Sequence, residues 1–202
     1  MVEINEQQLL ELAKKAAIEG GAKIMEVYQS EFEVVEKEDQ SPLTIADQRS
    51  NEVIEKLLKP SGIPILSEEG IHSSFEERKS FTYLWIVDPL DGTKEFVKKN
   101  GEFTVNIALV ENGIPILGVI YVPVKKWMYF GSSAGSFREV GGSREKLPLN
   151  IKKEVFTAVG SRSHPSKETA DFFEQLKKEK GNVEVVSMGS SLKICLVAEG
   201  AA

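Results

Sequence analysis

Trp85-Ile86-Val87-Asp88-Pro89-Leu90-Asp91-Gly92-Thr93-Lys94-Glu95-Phe96 is the stretch around which the chain of 202 residues is organised. Residues 83–87 are apolar, aromatic and β-branched, the composition of a buried strand. The run then breaks into carboxylate, proline, carboxylate and glycine. Pro89 has no amide hydrogen to give to a sheet ladder, and it holds Asp88 extended. Asp91 reads as the N-cap of a helix, and Gly92 as the residue that lets backbone approach a ligand. The expected product is a strand end with two carboxylates, followed by a helix start whose free amides attract an anion. Carboxylates beside an anion repel it unless a divalent cation lies between them. The stretch therefore points to metal-dependent phosphate chemistry.

Composition agrees with a soluble globular chain: 41% hydrophobic and 28% charged residues supply an ample core. A formal net charge of −6 argues against a binder of nucleic-acid polymers. A phosphorylated small molecule is still compatible with it, provided metal ions supply the positive field. The single cysteine, Cys195, excludes an intrachain disulfide and suits a reducing cytosol. The start of the chain is charged and amphipathic, without an apolar signal core, and no apolar run of about 18 residues follows. A cytoplasmic protein without membrane insertion is the expectation.

Outward from the central stretch, the chain divides into two styles. Asn5 with Gln8 resembles a capping box ahead of a helix through Tyr28, interrupted by Gly20-Gly21, which implies close packing or a kink. Residues 32–36 read as a short strand, 36–40 as a polar turn, and 41–43 as an extended entry. A second helix is expected over 44–59, with Thr44 and Asp47 as its cap pair. A strand over 63–66 ends at Ser67-Glu68-Glu69-Gly70, a second strand end carrying acids. Residues 71–80 read as a loop or short helix. Strands at 103–111 and 116–122 flank the hairpin signal Asn112-Gly113, residues 127–131 pair back, and 132–143 continue as a loop or edge strand. This is an antiparallel meander. After residue 147 the order becomes strand (155–159), helix (166–180), strand (183–187), then Gly189-Ser190-Ser191 opening a last helix. The expected division is an N-terminal lobe over 1–146 and a smaller α/β lobe over 147–202.

Glu68, Asp88 and Asp91 all fall at strand ends, where open sheets gather ligands, and the Leu90 carbonyl lies between the two aspartates. Hard oxygen donors of this kind suit sparsely ligated, partly hydrated Mg²⁺. Any one of these acids is more often structural, but the Asp-Pro-Leu-Asp-Gly-Thr spacing after an apolar strand favours the metal reading. Thr93 is expected on the first helical turn, with Asp47 accepting from its hydroxyl so that the pair orients and deprotonates water. Lys94 follows closely enough to reach a second phosphate. Gly189, Ser190 and Ser191 are weaker substrate-contact candidates. His72 and His164 stand in polar loops without a second ligand, and Cys195 sits in an apolar helical stretch.

These motifs, in this order, resemble the lithium-sensitive, magnesium-dependent superfamily of inositol monophosphatase, and most closely its 3′(2′),5′-bisphosphate nucleotidase branch, the CysQ type. The likeness rests on the central stretch, on Ser41-Pro42-Leu43-Thr44-Ile45-Ala46-Asp47, on Leu66-Ser67-Glu68-Glu69, on Asn100-Gly101-Glu102-Phe103-Thr104-Val105-Asn106, on Pro115-Ile116-Leu117-Gly118-Val119 and on Gly189-Ser190-Ser191-Leu192-Lys193. Lys94-Glu95-Phe96 and Asn100-Gly101-Glu102-Phe103 tilt it toward the nucleotidase branch. The resemblance implies a layered α/β/α/β/α sugar-phosphatase fold. It implies two or three Mg²⁺ ions held by Glu68, Asp88, the Leu90 carbonyl and Asp91. It further implies Asp47 and Thr93 on the attacking water with the carboxylate of Glu68 assisting, Asp91, Gly92, Thr93 and Lys94 around phosphate, and Gly189, Ser190 and Ser191 on the substrate side.

The implied reaction is hydrolysis of 3′-phosphoadenosine 5′-phosphate to AMP and phosphate by two-metal activation of water, a step of sulfur assimilation. An inositol-phosphatase-like activity and a non-catalytic metal- and nucleotide-binding role are the alternatives, and a homodimer is left open. The family continues past Leu196-Val197-Ala198-Glu199-Gly200 into further strands and a Trp-Asp motif whose aspartate binds the second metal. This sequence stops at Ala202. The expectation is a truncated copy with an incomplete second lobe and doubtful activity of its own.

Overall fold

The computed structural model of the chain describes residues 5–30, 42–70, 73–152 and 154–202. The strand and turn expected over 32–40, and His72, lie outside the described residues.

Helix α1 (Glu6–Tyr28) begins as its sequence dictates, with the Asn5 side chain accepting from the Gln8 amide at 3.1 Å. Helix α2 (Pro42–Leu58) corrects the expected entry. Proline opens it, a position where its missing amide hydrogen costs nothing. Thr44 and Asp47 are therefore interior helical residues rather than a cap pair. Gly20 and Gly21 mark packing, not a kink: a Cβ on Gly20 would lie 2.7 Å from Ile54 Cδ1, and one on Gly21 2.7 Å from Tyr121 Cε1. The two helices meet each other there, and both meet the sheet.

That sheet has seven strands in the order β1 to β7: β1 (Ile65–Ser67), β2 (Tyr83–Asp91), β3 (Thr104–Glu111), β4 (Ile114–Val122), β5 (Trp127–Ser132), β6 (Gly135–Val140) and β7 (Ser143–Lys146). The pair β1–β2 is parallel and every later pair antiparallel. The segment 132–143 is thus mostly strand, since Gly135–Val140 pairs with β5 and Ser143–Lys146 closes the edge. Between β1 and β2 lies α3 (Phe75–Arg78), set by a Ser74–Glu77 capping box. Between β2 and β3 lies α4 (Thr93–Val97), only five residues long.

Strand alternation sorts the faces. Trp85, Val87, Val105, Ile107, Leu109, Leu117 and Val119 turn toward α1 and α2 in the main core. The opposite face carries Ile86, Asp88, Asn106, Ile120 and Tyr129 around a cavity of about 620 Å³. The chain then builds β8 (Phe156–Ser161), α5 (Lys167–Lys180), β9 (Val183–Met188) and α6 (Leu192–Ala198), with β8 and β9 parallel. Leu192 and Cys195 of α6 pack with Val122 and Tyr129, and α6 also meets β8, while α5 meets β8 and β9. The result is the expected mixed α/β architecture, with helices, sheet, helix, sheet and helix in successive contact. The last helix is tied down by Glu199, which accepts from Tyr129 Oη and Arg138 Nη1, each at 2.6 Å. Among the described residues no helix is long and apolar enough to cross a membrane.

The tight α1–α2 contact gives a direct test. Gly20→Val is expected to destabilise the protein by about 1–3 kcal/mol through overpacking against Ile54 and Ser50. A urea midpoint equal to that of the unsubstituted chain would show that this interface yields freely.

Candidate functional site

The central stretch does not stop being a strand at Asp88. β2 runs on through Pro89 and Leu90 to Asp91, with a bulge between Asp88 and Asp91 in its pairing with β3. Asp91 consequently does not cap a helix. The N-cap of α4 is Gly92, at φ 97°, with no side-chain cap bond. That backbone conformation suits glycine, and space demands it too: a Cβ there would sit 3.0 Å from the Glu102 carbonyl oxygen and 3.1 Å from Ser190 Cβ. The turn is then anchored from behind. Phe96 is fully buried, its ring centroid 5.4 Å from that of Tyr28 and 5.5 Å from that of Phe103.

Helix α2 brings the next acid. Asp47, Ser50 and Asn51 stand at i, i+3 and i+4 on one helical face. Ser50 Oγ donates to the Pro89 carbonyl at 3.1 Å, and the Ser67 hydroxyl donates to Asn51 Oδ1 at 2.6 Å. These two bonds register α2 against the ends of β2 and β1. Asp47 is carried there into the interior, 9% exposed, and its Oδ1 has no hydrogen-bond partner. Burial, then the charges of Glu69, Asp88 and Glu68, push its carboxyl up to about 8. Burial, then Asp91 and Glu68, push Asp88 up to about 7, although the Leu90 amide donating at 3.2 Å pulls it back. Five acids from three separate segments therefore face one another. Glu68 sits just beyond β1, exposed, with its amide on the Val87 carbonyl. Among the described residues no three such side chains yet enclose an ion-sized point. The donor set nonetheless fits a hard cation: it is all carboxylate oxygen, its acids resist ionisation together, and one buried oxygen is unpartnered.

Asp91 is bound differently from the rest. Its Oδ2 accepts from the Ser191 amide at 2.6 Å and the Ser191 hydroxyl at 2.5 Å, with Thr104 Oγ1 and Asn106 Nδ2 each at 3.4 Å. The expected Ser191 contact thus lies on a candidate metal ligand. Gly189 and Ser190 are buried beside it, a Gly189 Cβ falling 2.4 Å from Glu95 Cγ. Thr93 is exposed, and the hydrogen bond expected between it and Asp47 does not form. The reason lies in the fold: Thr93 follows the left-handed Gly92 outward, while Asp47 points from α2 into the interior. Lys94 reaches across to the second lobe, its Nζ 2.9 Å from His164 Nε2, so His164 has a partner that its sequence context concealed.

Sequence reasoning passed over Glu69, Glu95, Glu102, Asn106 and Arg162. Glu102 accepts from Arg162 Nε and Nη2, each at 2.8 Å, and from the Gly189 amide at 2.8 Å. Burial lifts its carboxyl, but the Arg162 guanidinium and the Gly189 amide outweigh this and hold it below the ordinary glutamate value. Glu95, 3% exposed, accepts from Ser163 Oγ. Only the presence of both acids in the nucleotidase-like motifs hinted at them. Cys195 is 2% exposed, and burial pushes its thiol up to about 12, which removes it as a nucleophile.

The model of the inositol monophosphatase family matches residues 5–202. A 3′(2′),5′-bisphosphate nucleotidase CysQ of Salmonella typhimurium is 43% identical over 200 residues, which are 97% of this chain and 77% of that protein. The CysQ of Haemophilus influenzae is 36% identical over all of this chain and 75% of its own length. Among solved structures, CysQ from Bacteroides thetaiotaomicron, a bacterial member of the inositol monophosphatase family, superposes with a TM-score of 0.90 at 47% identity over 97% of this chain and 78% of that one. SuhB of Mycobacterium tuberculosis shares the fold at a TM-score of 0.73 and 22% identity, covering 98% of this chain and 76% of its own. On the match across 5–202 and these relatives, the chain belongs to the inositol monophosphatase family.

Proposed function

We propose that the chain is a magnesium-dependent phosphomonoesterase acting on a bisphosphate nucleotide, 3′-phosphoadenosine 5′-phosphate, to give AMP and phosphate. One observation carries the reading: Asp47, Glu68, Glu69, Asp88 and Asp91 converge where the Gly92 turn meets the Gly189–Ser191 turn, with Asp47 and Asp88 held far above ordinary carboxylate values. The likeness to CysQ nucleotidases supports the substrate class.

Glu68, Asp88, the Leu90 carbonyl and Asp91 would hold Mg²⁺, two or three ions per site, a reading supported by their all-oxygen donor set. When bound, a divalent cation would supply charge neutralisation among these carboxylates, a more acidic water and relief of charge on the departing ribose oxygen. The chain's own part is positioning and proton transfer. Asp47 Oδ1, buried and without a partner, accepts the proton of the attacking water once bound cations have let its carboxyl ionise. Thr93, on the outer side of the same turn, orients that water once phosphate is in place. The Gly92 and Thr93 amides bind the phosphate being cleaved. Lys94, beside His164, binds the second phosphate, while Ser190 and Ser191 line the nucleotide side. No side chain serves as nucleophile. The two lobes, 1–146 and 147–202, thus close on the substrate from opposite sides, in a cytoplasmic setting that suits a lone thiol.

Phosphate release from 3′-phosphoadenosine 5′-phosphate is expected to require magnesium, to be inhibited by lithium, and to exceed release from inositol 1-phosphate. Preference for inositol 1-phosphate would replace the nucleotide reading. Calorimetric binding without release at any magnesium concentration would make the chain a binder only. Asp88→Asn is expected to lower turnover by about three orders of magnitude while leaving the fold intact; unchanged turnover would exclude this site.

The raised carboxyls also fix a pH dependence. Between pH about 4, where free carboxylates ionise, and about 8, the folded state keeps protons that the unfolded chain has released. Stability of the cation-free protein must then fall as pH rises across that window. Chelator-treated protein is expected to melt at a lower temperature near pH 8 than near pH 5, and Asp47→Asn to flatten the slope. A level profile in the unsubstituted chain would speak against the convergence of acids.

A further inference from the structure

The Gly189–Ser191 turn is held from both ends. At one end the Gly189 amide donates to Glu102 Oε2 at 2.8 Å. At the other the Ser191 amide and hydroxyl donate to Asp91 Oδ2. Between them Ser190 takes a left-handed backbone, φ 48°, which a non-glycine residue adopts only where its surroundings over-determine it. Gly189 is seated in a socket with no spare room, since a Cβ would meet Glu95 Cγ at 2.4 Å and the Glu102 carbonyl oxygen at 3.1 Å.

Glu102 is itself fixed. Arg162 grips both of its carboxylate oxygens at 2.8 Å and also donates from Nη2 to the Ser187 carbonyl at 2.7 Å. The guanidinium thereby joins the acid on the first lobe to the end of β9, immediately before the turn. A partly exposed ion pair contributes little stability by itself. A buried amide deprived of its charged acceptor is more costly, so the function of this pair is found in what Glu102 holds.

We propose that Glu102 and Arg162 are positioning residues: a clamp that fixes the strained Gly189–Ser191 turn so that Ser191 sets the orientation of Asp91. All four hydrogen bonds to Asp91 fall on Oδ2, which leaves Oδ1 as the oxygen that they do not use. The clamp determines which way that carboxylate faces. Its geometric part stands on these contacts alone; its effect on turnover rests on the phosphatase reading above.

Three variants of the full chain test it: Glu102→Ala, Glu102→Gln, which keeps an acceptor for the Gly189 amide, and Arg162→Met, which leaves the carboxylate. Amide hydrogen exchange is read by NMR at Gly189 and Ser191, with Val105 and Ile107 of β3 as internal references. Glu102→Ala is expected to accelerate exchange at both turn amides by about tenfold or more, with the references unchanged. Glu102→Gln should retain most of the protection and Arg162→Met an intermediate share. Turn amides within twofold of the unsubstituted chain in Glu102→Ala would overturn the clamp. Should Glu102→Ala lose the reference protection as well, Arg162→Met decides, since selective acceleration at the turn supports the clamp and uniform acceleration refutes it.

In the phosphatase assay the same variants should lower kcat by about tenfold with KM for the bisphosphate nucleotide changed less than threefold, Glu102→Gln being the mildest. Accelerated exchange with unaltered kcat would keep the clamp but remove its link to Asp91. A chain with no phosphatase activity at all would leave the exchange result to stand on its own.

Discussion

Mutual repulsion among carboxylates is the constraint on which the rest of this structure depends. Asp47 arrives on a helix, Glu68 and Glu69 on the end of a short parallel strand, Asp88 and Asp91 on the end of its neighbour. Burial first, and then the charges of the neighbouring acids, raise the proton affinity of Asp47 and Asp88. Such an arrangement is unfavourable for an isolated chain, so other contacts must hold it in place. They include the fully buried aromatic cluster of Phe96 and Phe103 with Tyr28, and the bonds from Ser50 to Pro89 and from Ser67 to Asn51. A local disadvantage at a site, offset by packing around it, is the usual signature of function rather than of stability.

Parallel pairing of β1 with β2 is what makes the convergence possible. Were the pair antiparallel, the end of one strand would lie beside the start of the other, and Glu68 would sit a sheet's length from Asp88. In the parallel register Ser67 lies opposite Val87, so the residues that follow each strand emerge side by side. The helical α3 crossover that permits this arrangement carries no site residue. The antiparallel β3 then adds polar neighbours: Asn106 opposite Asp88, and Thr104 opposite Asp91 beyond the bulge. One sheet edge therefore supplies acids, and the adjacent strand supplies hydrogen-bond donors for them.

Local chemistry explains how much of this was legible in the sequence. Asp88-Pro89-Leu90-Asp91-Gly92-Thr93 is contiguous, so its residues announced carboxylates and a glycine turn without knowledge of any partner. The hairpin at Asn112-Gly113 and the break at 60–62 were local in the same way. Two local readings failed because a competing local reading won: Pro42 opens α2 before Thr44 can cap it, and Gly92 displaces Asp91 from the cap of α4. Contacts across large sequence separations could not be read at all. Glu102 and Arg162 are 60 residues apart, Asp91 and Ser191 100. Glu102 and Arg162 look like ordinary surface residues until the second sheet is docked, and nothing local pairs Asp91 with Ser191. The absent Thr93–Asp47 hydrogen bond has a related reason, since Gly92 fixes the turn that carries Thr93 while Asp47 arrives on a different helix.

Docking of the second sheet also clarifies why the nucleotidase-like motifs carry two glutamates. Glu95 takes Ser163, Glu102 takes Arg162, and Lys94, just before Glu95, meets His164, so three successive residues of one loop match three residues of the first lobe. These contacts engage both acids with the second lobe. The Glu102–Arg162 ion pair ties the loop 162–164 to the first lobe beside the Gly92 turn. On the proposed nucleotidase reading, a phosphorylated ligand would meet carboxylates at the ends of β1 and β2, where a cation must intervene, and Lys94 beside His164, where none is needed. An asymmetry of that kind suits a substrate with one phosphate to be cleaved and another to be held. A monophosphate would leave the second region without a partner.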